Sequence, residues 1–126
     1  MRGARLVLLF TSALVGACEH PTVCTAEFVY GLTVTVSDSA TTVPLVDGTV
    51  VVVRDGAFVD SVRATVGNNF ISAGERAGVY SVLAHHAGYR DWIASGVRVT
   101  RGSCHVVPVG LTARLQRLTS LPLLTR

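Results

Sequence analysis

Lysine is absent from this chain, and all eleven basic residues are arginine. That excludes a Schiff-base lysine and a lysine general base. Charge of either sign is scarce: Asp, Glu, Lys and Arg together make up 15% of the residues, against 49% hydrophobic. Such a balance fills a core and argues against disorder by composition. With Arg2 and Arg5 set aside as part of an export segment, nine arginines face eight acidic residues. Neither nucleic acid nor an anionic surface is therefore an expected partner. Serines occur without a nucleophile elbow, and no Ser, His and acid grouping shows the spacing of a triad. Asp38, Asp47, Asp55 and Asp91 are dispersed rather than arrayed as in a calcium loop. The expectation is a chain that is not an enzyme, with no metal and no cofactor.

What is present begins with an apolar leader. Arg2 and Arg5 precede Leu6-Val7-Leu8-Leu9-Phe10 and an apolar run through Val15, and Gly16-Ala17 supply small residues before a cut. The run is too short to span a bilayer as a helix. Residues 1–17 thus read as a signal peptide. Val15-Gly16-Ala17-Cys18 resembles the lipobox of bacterial lipoproteins, with leucine one place early at Leu14. The resemblance implies cleavage before Cys18, lipidation of that cysteine, and a chain anchored in the bacterial cell envelope, at the outer membrane, the periplasm or the cell surface. The alternative is plain secretion.

Three cysteines leave one over in an exported chain. If Cys18 carries lipid, Cys24 and Cys104 remain as a pair. Their bridge would close a loop of about 80 residues, for which chain entropy allows roughly 4 kcal/mol as an upper figure. A Cys18–Cys24 bridge is the competing pair and would stabilise little. Residues 18–23 form a short tether.

Valine and threonine abound in short runs bounded by glycine, which argues for an all-β domain. Phe28, Tyr30, Leu32, Val34 and Val36 alternate with smaller or polar residues, so one face is expected to meet the core. Thr49 to Arg54 is an apolar run that reads as a central strand, and Asp55-Gly56 reads as the turn of a hairpin. Residues 67–77 carry the least period, with room for one short strand around Phe70. Cys104 to Leu115 reads as one last strand, with Pro108 marking a bulge or an edge. Residues 116–126 fit no strand and read as a frayed C-terminal tail.

The stretch from Gly78 to Tyr89 has the clearest pattern: Gly78-x-Tyr80-x-Val82, then Ala87-Gly88-Tyr89. It resembles the carboxypeptidase regulatory-like domain, a small transthyretin-like β-sandwich. The Pro44-Leu45 dipeptide before Gly48 and a valine-rich strand adds to the likeness. The resemblance covers about residues 24–115 and implies a single sandwich, transthyretin-like or Ig-like, of about seven strands. It also implies a non-enzymatic role, since such domains often sit beside catalytic or receptor domains as accessories. Hydrolases of the transthyretin-like fold end in a tyrosine-arginine-glycine-serine signature, whereas this chain ends Leu121-Pro122-Leu123-Leu124-Thr125-Arg126.

Two further features invite chemistry. His85 and His86 are adjacent on a strand, so they face opposite ways and cannot share one ion. A site there would need Glu75 or His105 to converge on one of them. Trp92 and Tyr89, with Tyr30, suggest a sugar-stacking platform of the sort found in related starch-binding modules. The expected function is a lipid-anchored module that binds an envelope protein or stabilises an assembly. The alternative is carbohydrate binding through Trp92 and Tyr89.

Overall fold

The computed structural model describes residues 22–63 and 66–119. Eight strands run through them: β1 (Tyr30–Asp38), β2 (Val50–Asp55), β3 (Phe58–Val62), β4 (Asn69–Gly74), β5 (Gly78–His85), β6 (Trp92–Arg101), β7 (Val106–Val107) and β8 (Val109–Leu115). Among the described residues there is no helix. The strands form a three-stranded sheet in the order β4-β1-β8 and a five-stranded sheet in the order β3-β2-β5-β6-β7. Every pairing is antiparallel except β1 with β8.

One buried cluster draws on both sheets. Leu32, Val34, Val36, Phe70, Ala113 and Leu115 come from the three-stranded sheet, and Val51, Val53, Tyr80, Val82, Ala84, Val99 and Val106 from the other. The two-residue alternation of β1, β2 and β5 is what supplies these inward rows. The all-β expectation therefore holds, and the count is eight strands rather than seven.

The extra strand arises at Pro108. The segment expected as one strand is divided there: β7 pairs with β6 in the five-stranded sheet, and β8 pairs with β1 in the three-stranded sheet. Proline has no N–H to give a ladder, so it suits the point where the chain leaves one sheet for the other.

β1 departs from its expected face at its start. Phe28 and Tyr30 are 61% and 42% exposed, whereas Leu32 onward is buried. The period decides which face a side chain takes, not whether anything covers it. Their rings meet edge-on, with centroids 5.2 Å apart. Gly74 lies beneath them, and a Cβ there would push the tip of the exposed Phe28 ring aside.

β6 contains a bulge that matters for the site. Tyr80 pairs with Val97 but Val82 pairs with Ala94, so Ser95 and Gly96 together oppose Ser81. Gly96 takes a positive φ of 70°, a conformation that costs other residues energy. The additional residue resets the phase. Trp92 and Ala94 therefore lie on the same, partly buried side as Val97 and Val99, which strict alternation would forbid.

Candidate functional site

The described candidates fall into four groups, and three of them are structural. Cys24 and Cys104 form the expected disulfide, with Cα atoms 5.3 Å apart. It ties the segment ahead of β1 to the turn between β6 and β7. Cys18 and residues 1–17 lie outside the described residues, as do 120–126.

Near the disulfide, Glu75 and His105 do converge, but without His85 or His86. His105 Nδ1 donates to Glu75 Oε1 at 2.7 Å. With that nitrogen donating, a neutral ring accepts at Nε2, where Thr25 Oγ1 lies 3.3 Å away. The order hydroxyl, imidazole, carboxylate is that of a catalytic relay, and its carboxylate also holds the backbone. Glu75 Oε1 also accepts the Val29 amide at 2.8 Å, and the Glu75 amide donates to the Val29 carbonyl at 2.8 Å. The Val29 amide, helped by His105, keeps the Glu75 carboxyl below its ordinary range against the effect of burial. The array clasps the entering segment onto the β4–β5 turn.

A second cluster surrounds Arg76. Its guanidinium donates to Asp55 at 2.6 Å and to the Tyr80 hydroxyl at 2.9 Å, and lies 4.4 Å from the Phe58 ring centre. Asp55 and Tyr80 raise its pKa further. The β2–β3 hairpin is thereby fastened to β5.

The third cluster corrects the expected role of Tyr89. Its ring is 8% exposed, and its hydroxyl donates to Asp38 Oδ2 at 2.9 Å. Tyr89 belongs to the core and offers no face to a ligand, so a platform of two aromatic rings does not form. The glycine turn carries Tyr89 inward, because Gly88 takes a φ of 82°. Asp38 is 1% exposed yet keeps its charge through four donors. Ala40 and Thr41 amides reach Oδ1 at 2.8 and 3.0 Å, and Arg117 Nε reaches Oδ2 at 2.7 Å beside the tyrosine. The Arg117 bond, then the Thr41, Tyr89 and Ala40 bonds, hold this carboxyl well below the usual carboxylate range, against the opposing effect of burial. Burial, followed by the Asp38 bond, raises the Tyr89 phenol.

This node also fixes the start of the tail. Tyr89 bridges to Arg117, the Arg90 amide donates to the Gln116 carbonyl at 2.8 Å, and the Leu118 amide to the Gly88 carbonyl at 2.9 Å. Residues 116–118 are therefore docked rather than frayed. The signal for this was a buried acid at a strand end with an arginine far down the chain, a pairing that no local pattern reveals.

Docking the tail creates the fourth group, an open cleft of about 220 Å³ lined by Arg90, Asp91, Trp92, Arg114 and Gln116. Trp92 is half-buried against the core and Arg90 and Arg114 are exposed. The ion pairs among the described residues involve neither of these two guanidinium groups. Asp91 is held through Oδ1 by His85 Nδ1 at 2.6 Å. His86, half-buried just past β5, lies 3.1 Å from the Asp47 carbonyl through Nε2 and packs edge-on to Tyr89. The two histidines thus serve separate local contacts, and among the described residues no three His, Cys, Asp or Glu side chains gather as a metal site.

Searches against protein-family models and against curated protein sequences find no match for this chain.

Proposed function

We propose that the chain is a non-enzymatic cell-envelope module, a transthyretin-like sandwich anchored by lipid on Cys18, whose task is to bind another envelope component. One observation carries the reading. The Asp38, Glu75 and Arg76 clusters use their charges to hold strands together. The Trp92 cleft instead brings an aromatic side chain together with two arginines that make no ion pair among the described residues. Unspent donors beside a partly exposed aromatic surface are the ordinary makings of a recognition site.

The partner is an envelope protein or a glycan, and Trp92, unlike Tyr89, favours the glycan. Both Arg90 and Arg114 act as orienting groups in either case. The experiment is a pull-down of the membrane-extracted protein with its neighbours, in wild type and Trp92→Ala. Partners lost on substitution, with the β-sheet circular dichroism retained at the assay temperature, support the reading. Retention of every partner by Trp92→Ala would move the binding face elsewhere.

A further inference from the structure

The five residues of the cleft are chemically unequal, and their inequality narrows the ligand. Trp92 offers one flat apolar surface. Arg90 and Arg114 bring two guanidinium groups from different elements, one from the loop before β6 and one from β8. Gln116 adds an amide that both donates and accepts. Asp91 adds a carboxylate with one oxygen on His85. Donors thus predominate, one carboxylate accompanies them, and an indole shares the cleft.

We infer that the cleft binds a carboxylate-bearing sugar ring, the uronic acid unit of an acidic glycan. The inference rests on the binding-module reading and names the ligand of that same site. A pyranose has a face of C–H groups that packs on indole and a rim of hydroxyls that both donate and accept. A cleft of about 220 Å³ has room for about one such ring. The carboxylate is what two arginines select, because guanidinium and carboxylate pair through parallel charge-assisted bonds. A neutral sugar would leave two arginines facing one carboxylate, Asp91, that is already shared with His85. An acidic peptide side chain supplies the carboxylate but no ring to cover Trp92. The near balance of nine arginines against eight acidic residues, once Arg2 and Arg5 are set aside, argues that the selectivity is local rather than a general attraction to polyanions.

Trp92 is the single tryptophan of the chain, so its fluorescence reports on this site alone. The probes are an oligogalacturonate, a neutral glucose oligomer of equal ring number, a glutamate oligopeptide and inorganic phosphate, each titrated into the folded protein. Saturable change with the uronate only is the expected result. Arg90→Gln and Arg114→Gln should each weaken binding about tenfold or more, the loss of one charge-assisted pair, with unchanged thermal melting because both side chains are exposed. Calorimetry on Trp92→Ala, which lacks the reporter, should show binding lost.

Equal affinity for the neutral oligomer would overturn the acidic ligand while leaving glycan binding intact. Equal affinity for the peptide or for phosphate would overturn the sugar. No response to any probe overturns the inference. In that case the pull-down still decides separately whether the module binds a protein.

Discussion

Asp38 shows how much one residue can organise. A carboxylate taken out of water is costly unless donors surround it, and here two amides, a phenol and an arginine do so. Its folded pKa lies below its unfolded value of ~4, so the folded state gains stability wherever the unfolded carboxyl is ionised. That gain is complete above the unfolded pKa and is lost as pH falls through the folded one. Glu75 is shifted in the same direction, its largest cause being the Val29 amide. We expect thermal stability to be level from neutral pH down to about pH 5 and to fall below that. Asp38→Asn should lower stability at neutral pH and flatten the acid limb, as read by melts at a series of pH values. An unchanged acid limb in Asp38→Asn would show that other carboxyls govern it. Asp38 acts as a turn former through Ala40 and Thr41, a role common to aspartate at a strand end. Its burial and its link to Arg117 were invisible in the sequence, because they depend on a contact 79 residues away.

At the scale of elements, alternation carried most of the reading. It located β1 and β5, an unbroken apolar run located β2, and the Asp55-Gly56 turn fell where expected, with Asp55 paired to Phe58. Alternation fails where a strand changes phase or sheet. In β6 the Ser95-Gly96 bulge turns Trp92 inward beside Val97, and at Pro108 one run of residues becomes two strands. Gly96→Ala places a Cβ on a backbone of φ 70°. Nothing lies within 4 Å of that Cβ, so the cost is conformational, about 1 kcal/mol. A chemical-denaturation midpoint measures it. The change should also shift the Trp92 emission, because the bulge sets the indole's position. Stability lost with emission unaltered would mean that the bulge survives and Trp92 is held by packing alone.

For the whole molecule, the β1–β8 pairing and the disulfide act together. Parallel pairing sets the starts of both strands at one end, and Cys24 and Cys104 lie just upstream of β1 and of the β7–β8 segment, which is how residues 80 apart come to bond. Closing so long a loop restricts the unfolded chain, so Cys24→Ser/Cys104→Ser should lose roughly 2–4 kcal/mol while keeping its β-sheet circular dichroism. Peptide mapping without reductant checks the pairing, and a free thiol at Cys104 would contradict it. What the sequence alone determined was the all-β class, the hairpin and the inward rows of β1 from Leu32, β2 and β5, while Cys24 with Cys104 was one of two pairings it offered. These follow from residue period, turn chemistry and cysteine parity, which are local or countable. What only the tertiary structure decided was the place of Tyr89 in the core, the docking of residues 116–118, and the meeting of Arg90, Trp92 and Arg114. Those depend on which strands become neighbours, and strand order follows from the summed packing of two sheets rather than from any one segment.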